Sequence, residues 1–370
     1  MKLALVVPGG VDRSGRERVI PVLLWLIERL ARRHEVHVFA LRQYRDPCDY
    51  ELFGAHIHNI GQVESIKDWA WLPQYRRFMA RVKQHGPDFD CFHGFWAGST
   101  GLYATLAARR QPAPSIVSLM GGEVVALPEI GYGMQCHWRS RLLVRWSVQL
   151  ASQVTVATRY MQTLAERCKI ATEIVPLGAL PSPHAAPHLH APNTSTRRLL
   201  HIASLNLVKD QTTLLRAMQR IVNTRANVHL DIVGEDTLHG AMQRLCAELG
   251  LNAAVTFHGF LNQDALQPLY QAADLFVLPS RHDAAPVVVL EAAMHGLPTV
   301  GTSVGYVADW ASTRAQAVPI GDDCALAESI LSLLDNEPRR LHLGEQARHW
   351  ALAHDADWTA DQFELLYQRR

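Results

Sequence analysis

Short β-branched or apolar runs alternate along this chain with longer amphipathic ones, and that rhythm predicts a parallel α/β sheet. Leu3–Val7 is followed by Val19–Arg33 and Val36–Leu41, and further short runs fall at Ser115–Leu119, Val154–Ala157 and Glu173–Val175. From Gly178 to Arg198 the sequence GALPSPHAAPHLHAPNTSTRR holds four prolines and no periodicity. A proline-rich stretch of this kind reads as a boundary. The rhythm then starts afresh at Leu199–Ala203, with strands expected near Val228–Val233, Ala254–Phe257, Leu275–Leu278 and Thr299–Gly301, and helices starting near Asp210, Thr237, Asn262 and Pro286. The expected organisation is two doubly wound domains: 1–178, a linker over 179–198, a second domain over 199–354, and a last helix in 355–370.

The segment with most chemistry runs from Pro279 to Asp309, PSRHDAAPVVVLEAAMHGLPTVGTSVGYVAD. It sets two carboxylates, Asp283 and Glu291, eight positions apart around a helix start. Pro286 suits the first turn of a helix, where its missing N–H has no partner to lose. The free N–H groups of Ala285, Val287 and their neighbours, with the helix dipole, favour an anion such as a diphosphate. Glu291, about a turn and a half further on, reaches past the phosphates to accept hydrogen bonds from ribose hydroxyls, as acidic side chains do in dinucleotide folds. Asp283 in the preceding loop is placed for sugar hydroxyls.

These residues resemble the E-x7-E signature of retaining glycosyltransferases with the GT-B fold, specifically the large group 1 (family 4) class. VTFHGFLNQDALQPLYQAADLFVLPS (Val255 to Ser280) and HIASLNLVKDQTTLLRA (His201 to Ala217) are similar to other C-terminal landmarks of that class, in the same order. The N-terminal half is similar more loosely, through Gly9-Gly10 after the first strand and His93-Gly94 after a later one. The resemblance implies two Rossmann-like domains facing a central cleft, a nucleoside diphosphate sugar as donor, and a sugar, glycolipid or small-metabolite acceptor read by the N-terminal half. It implies no metal and no cofactor. It also implies that the last helix crosses back to the first domain.

In such a transfer, bond cleavage leaves negative charge on the diphosphate and positive charge on the sugar ring, and the protein must stabilise both. The class supplies two cations through an R-x4-K motif. Here Lys209 holds the lysine position and Ser204 stands where arginine is expected. Losing one charge-assisted contact costs roughly 1.5–3 kcal/mol, so Arg281, two residues before Asp283, is the substitute expected on the phosphates; a solvated loop arginine is the alternative. Arg13, Arg16 and Arg18 in GGVDRSGRERV are further cations that could reach across. Asp283 stands where the class usually carries glutamate. Met120 precedes Gly121 in SLMGGEV where many relatives have histidine, so no histidine role carries over there. His93 is the other imidazole expected near the cleft, at the end of a strand over Asp90–Phe92, with structural hydrogen bonding as its alternative. Gly121 and Glu123 are acceptor-side candidates beside Arg13. Gly10 lets backbone approach the ligand without a Cβ. His258 and Gly259 are expected at the nucleotide base, and Gly305 near the donor, where a simple turn is the alternative.

Net charge is +1, from 36 basic and 35 acidic residues, and gives no reason to expect nucleic acid. Hydrophobic residues at 48% suffice for a sizeable core. The six cysteines, at 48, 91, 136, 168, 246 and 324, form no CxxC pair, which argues against structural zinc and a disulfide scaffold and for a reducing cytoplasm. No apolar run approaches the ~20 residues of a membrane span, and LALVVPGG reads as a buried strand rather than a signal peptide. Asp88-Phe89-Asp90 spells DxD, but its place before a buried strand favours a strand-entry aspartate over a metal ligand. His184, His188 and His190 sit in the proline-rich stretch and read as solvated. Trp138–Leu150, WRSRLLVRWSVQL, has apolar residues at helical spacing flanked by Arg139, Arg141 and Arg145. It can pack on its own sheet or lie on an anionic membrane. Against transfer stands a catalytically weak or inactive sugar-nucleotide-binding protein, suggested by Ser204 and Met120; an epimerase of the same architecture is disfavoured by the E-x7-E-like spacing.

Overall fold

The computed structural model describes residues 1–62, 71–86, 88–181 and 196–369, which fall into two compact units, Met1–Gly178 with Ala356–Arg370 and Ala179–Asp355. His184, His188 and His190 lie outside the described residues. The first unit runs β1 (Lys2–Val7), α1 (Pro21–Ala31), β2 (Glu35–Ala40), β3 (Cys48–Leu52), β4 (Ala55–Asn59), α2 (Trp71–Gln84), β5 (Cys91–Phe95), α3 (Ser99–Arg110), β6 (Ser115–Leu119), α4 (Trp138–Leu150), β7 (Gln153–Val156), α5 (Arg159–Arg167) and β8 (Glu173–Ile174). Its eight strands lie in the order β3-β4-β2-β1-β5-β6-β7-β8. The second runs β9 (Arg197–Ile202), α6 (Gln211–Thr224), β10 (Val228–Val233), α7 (Ala241–Glu248), β11 (Val255–Phe257), α8 (Gln263–Ala272), β12 (Leu275–Leu278), α9 (Val287–Met294), β13 (Thr299–Thr302), α10 (Gly305–Asp309), β14 (Ala315–Val318), α11 (Asp323–Asp335) and α12 (Glu337–Ala353). A last helix, α13 (Ala356–Tyr367), belongs to the first unit.

Both sheets reverse their strand order once. In the second unit the order is β11-β10-β9-β12-β13-β14, all parallel, so the chain winds one way from β9 to β11 and the other way from β12 to β14. Loops leaving the carboxyl ends of β9 and β12 therefore diverge, and a crevice at such a reversal is where open α/β sheets bind ligands. The first unit reverses between β1 and β5. Strands such as Phe276–Leu278 and Leu3–Val7 are buried along their length, because helices cover both faces of a parallel sheet.

Two features depart from the expected rhythm. β3 and β4 form an antiparallel hairpin whose two-residue turn, Phe53-Gly54, has positive φ at both positions, 52° and 82°. The expected strand over Asp90–Phe92 in fact runs Cys91–Phe95, so His93 lies in mid-strand, paired between Leu5 and Ile116. Gly94 reads as a strand end in sequence, but a Cβ there would lie 2.6 Å from the Gly101 Cα of α3. It is glycine because helix and strand pack backbone to backbone.

His93 is 1% exposed and fully engaged: Nδ1 shares a hydrogen bond with the Tyr367 hydroxyl (2.8 Å) and Nε2 with Ser118 Oγ (2.7 Å). Both ring nitrogens are thus used inside the first unit, where the ring ties the sheet to α13. Arg29 to Asp357 (2.9 Å), Arg33 to Asp361 (2.8 Å) and the Thr359 hydroxyl donating to the Pro176 carbonyl (2.9 Å) complete that docking.

Burial pushes the His93 pKa down to about 3 and that of His201, on β9, to about 4. An exposed imidazole titrates near 6.5. Below that pH the unfolded chain takes up protons that these folded rings refuse, so their contribution to stability is complete above about pH 6.5 and is lost as pH falls towards 4. Burial raises the Glu123 and Glu291 pKa values, an effect of opposite sign. We therefore expect a His93→Gln variant to be less stable than the parent at pH 7 and to show a flatter fall in urea midpoint between pH 6.5 and 4. Parallel curves would contradict the assignment.

Candidate functional site

At the reversal in the second unit, the loop after β9 turns through Leu205 to Lys209 and enters α6 at Asp210. Asp210 adopts left-handed backbone (φ 50°) and caps the helix through Thr213, accepting from its N–H at 3.4 Å and its hydroxyl at 2.9 Å. That turn projects Lys209 towards the loop after β12. Lys209 Nζ donates to Asp283 Oδ2 at 2.6 Å, and Ser280 Oγ donates to the same oxygen at 3.3 Å. The Lys209 and Asp283 side chains are 25% and 14% exposed, so the pair is partly withdrawn from water yet open to a ligand.

The loop Pro279–Pro286 is fixed from three sides. The Arg281 N–H donates to the Val208 carbonyl (2.8 Å), and its guanidinium pairs with Asp210 through Nε at 3.1 Å. Thr302 Oγ1, at the end of β13, donates to the Ser280 carbonyl at 2.5 Å. Gly305 packs so closely that a Cβ would lie 2.5 Å from Pro286 Cδ and 2.8 Å from the Asp283 carbonyl oxygen. Pro286 is the N-cap, one residue before α9, and accepts from the Val289 N–H (3.0 Å). The first N–H groups of α9, at Val287 and beyond, thus open towards the same loop as Ala285 and Asp283, with the positive end of the helix dipole.

Glu291 follows one turn into α9 and is half-buried. Its Oε1 accepts from Gln263 Nε2 (2.7 Å) and its Oε2 from the Tyr270 hydroxyl (2.9 Å). Burial raises its pKa above the ordinary glutamate value, and the two donors pull it back. Gln263 and Tyr270 were not singled out from the sequence, because in α8 they read as a first-turn polar residue and a core aromatic. Tyr270 is indeed fully buried and stacks on His295, 5.0 Å between centroids.

The remaining second-unit candidates lie in the loops after β9 and β11. The Ser204 carbonyl accepts from Gln211 Nε2 (3.2 Å), which also meets His201 Nε2 at 3.1 Å. His258 pairs through Nε2 with Asp231 Oδ1 (2.8 Å), which lies within the neighbouring strand β10. The adjacent Gly259 has φ 68° and accepts from the Gly234 N–H (2.8 Å). Gly234, missed in the sequence, lies so close to the preceding loop that a Cβ would fall 2.0 Å from the Ala203 carbonyl oxygen.

The first-unit candidates sit in loops at the carboxyl ends of β1 and β6. Gly10 has φ 81° and, with Val11, donates its N–H to Gln43 Oε1 at 2.7 and 3.0 Å. The Arg13 guanidinium lies over the rings of Tyr44 and Tyr50, 5.3 and 5.2 Å from their centroids, while Arg18 pairs with Asp12 at 2.7 Å. Glu123 is fully buried and accepts from the N–H groups of Gly121 (2.7 Å), Met120 (2.9 Å) and Ala97 (3.3 Å). Its carboxylate therefore shapes the loop on which Gly121 sits. In the DxD stretch, Asp90 accepts from the Lys2 N–H at 2.7 Å and Phe89 is buried, as a strand-entry aspartate requires.

Comparison with known proteins gives a consistent result. Residues 188–350 match the family model described as glycosyl transferases group 1, and residues 19–178 match the one described as glycosyl transferase 4-like domain. Over 109 residues the chain is 38% identical to an uncharacterized glycosyltransferase of Methanocaldococcus jannaschii, covering 30% of this chain and 28% of that protein. The chain spans less than half the length of the first curated relatives it matches. Among solved structures, sucrose-phosphate synthase from Thermosynechococcus elongatus superposes with a TM-score of 0.79 at 19% identity, over 100% of this chain and 99% of that one. HepE of Anabaena, crystallised with UDP and glucose, superposes at 0.76 and 17% identity over the whole of both chains.

Replacing Gly305 by alanine should push the Asp283–Pro286 loop out of register. We expect Gly305→Ala to lose on the order of 1–3 kcal/mol in urea unfolding with its far-UV circular dichroism unchanged. Parent-like stability would show that the loop has room to spare.

Proposed function

From the premise that the chain belongs to the group 1 glycosyl transferases, with the two parallel-sheet units of the GT-B fold, we propose that it is a retaining, metal-independent hexosyltransferase moving sugar from a nucleoside diphosphate sugar to a glycan, glycolipid or small-metabolite acceptor. The observation that carries this reading is the 2.6 Å Lys209–Asp283 pair at the sheet reversal, beside the start of α9 and a tethered Glu291.

Each group has a role that follows from its chemistry. As the sugar C1–O bond breaks, its electron pair goes to the diphosphate, and Lys209 and the α9 N–H groups hold the charge that develops. Lys209 is neutralised by Asp283 beforehand. When the donor enters, Asp283 turns to the sugar hydroxyls and Lys209 to the phosphates, so the ion pair is exchanged for contacts with the ligand. Glu291 accepts from the ribose hydroxyls, its geometry preset by Gln263 and Tyr270. Arg281 supplies the second cation in place of Ser204; its pairing with Asp210 keeps it beside the Lys209 turn. His258 and Gly259 flank the base. On the acceptor side stand Arg13 and the loop that Glu123 organises around Gly121, while Gly10 lets backbone approach the donor. The His93 ring holds that unit together, and its contribution is to position the loops rather than to touch the substrate.

Two tests follow. Lys209→Ala should lower the rate of sugar transfer by about tenfold to a hundredfold, as expected for loss of a charged hydrogen bond worth roughly 1.5–3 kcal/mol, and Arg281→Ala should weaken binding of the nucleoside diphosphate more than of the nucleoside. If Arg281→Ala binds the diphosphate as the parent does, the substitution for Ser204 fails. NMR of the first-formed product should show the anomeric configuration of the donor; inversion would exclude retention.

A glycolipid acceptor is favoured by α4. Trp138 and Trp146 are 66% and 48% exposed, and the exposed Arg141 and Arg145 fall on the same helical face. Among the described residues no helix is long and apolar enough to cross a membrane. We expect the protein to sediment with anionic vesicles and not with zwitterionic ones, and Trp138→Ala/Trp146→Ala to abolish that. Equal sedimentation with both vesicle types, or none, would remove this support.

A further inference from the structure

In the first unit, β2 and β4 carry histidines on one sheet face. His37 pairs with His56 in register and Phe39 with His58, while α2 ends over them at His85. One nitrogen from each of His37, His58 and His85 lies within 4.8 Å of the others. His37 and His58 are 4% and 3% exposed, and His85 is half-buried with Nε2 lacking a hydrogen-bond partner.

The hydrogen bonds fix the tautomers. His37 Nε2 lies 2.9 Å from Glu35 Oε1 and His58 Nδ1 lies 2.9 Å from Asp49 Oδ1. An ionised carboxylate only accepts, so each of those nitrogens carries the hydrogen. What remains is His37 Nδ1 facing His58 Nε2 at 3.0 Å. In two neutral rings both atoms are then lone pairs, and they repel unless a cation lies between or beside them. The neighbouring charges are arranged for one: Glu35 and Asp49 are the anions, with Lys2 (3.4 Å from Glu35) and Arg81 (2.8 Å from Asp49) on their outer sides, and His56 lies beside His37. Imidazoles whose far nitrogens donate to carboxylates are the recurrent second shell of zinc sites.

We propose that His37 Nδ1, His58 Nε2 and His85 Nε2 bind a divalent late first-row metal ion, Zn²⁺ foremost, with water completing a tetrahedron. Three imidazoles suit such an ion. Zn–N bonds of about 2.0–2.1 Å set tetrahedral nitrogens about 3.3 Å apart, so the present spacing closes with side-chain shifts on the order of an ångström. The ion would staple the end of α2 to the β2–β4 edge. None of its ligands is among the residues proposed to bind the donor. No sequence signal announces it, because the three histidines are scattered over 49 positions and share no motif.

The test uses the full chain without a histidine tag, stripped with a chelator, dialysed and titrated with Zn²⁺ alone. One equivalent should bind and raise the melting temperature, and Co²⁺ should give the visible absorption of a four-coordinate ion. His85→Ala should weaken Zn²⁺ binding at least tenfold. Glu35→Gln, at a side chain 52% exposed and so safe for folding, should weaken it by on the order of tenfold to a hundredfold. No uptake by the stripped parent, or an equivalent that neither variant weakens and that therefore belongs to other histidines, would overturn the proposal.

Discussion

The ion pair between Lys209 and Asp283 joins the loops that leave β9 and β12, the two strands at which the second sheet reverses its order. A charged pair 2.6 Å apart and only partly exposed is held by more than its own attraction. Asp210 turns the chain in left-handed backbone to aim Lys209, Ser280 and Thr302 hold the Asp283 loop, and Gly305 leaves that loop no freedom on its far side. Each of these contacts is ordinary in strength. Together they fix one cation, one carboxylate and one helix start around a single loop.

The same logic separates what is rigid from what is exchangeable. Glu291 is anchored by Tyr270, itself buried against His295, so its carboxylate is held in one orientation. Lys209 and Asp283 instead hold each other, and in the proposed reaction they part. In the proposed reaction the strength of donor binding is the difference between the new contacts and the lost pair, and Arg281 is the second cation proposed for a chain with serine at position 204. In the first unit His93, Ser118 and Tyr367 bind α13 to the sheet, and Glu123 gathers the amides of Met120 and Gly121 from its own loop and of Ala97 from the loop after β5.

Much of this was readable in the residues. Uninterrupted apolar runs such as Ser115–Leu119, Val228–Val233 and Leu275–Leu278 became strands with those bounds, and Asp210 and Asn262 cap the helices they were expected to start. The β3–β4 hairpin was not readable, since its strands are rich in charge and histidine and its turn is Phe-Gly rather than a common hairpin pair. His93 was misplaced because Gly94 looks like punctuation, whereas its cause is a helix approaching from 101, outside any local window. The partners of Glu291 and of Arg281 escaped for the same reason: Tyr270 and Asp210 are chosen by three-dimensional proximity, and as sequence they are a core aromatic and a helix cap. The family resemblance supplied roles for Lys209, Asp283 and Glu291 that spacing alone leaves open.

The central claim is that the second unit holds a nucleoside diphosphate through groups of its own. The most direct measurement is calorimetric titration of the intact protein with UDP, GDP and ADP, each with and without a chelator. The account predicts that one of the three binds selectively, with an affinity that the chelator does not change. Binding that appears only with a divalent ion, or none with any of the three, would contradict it.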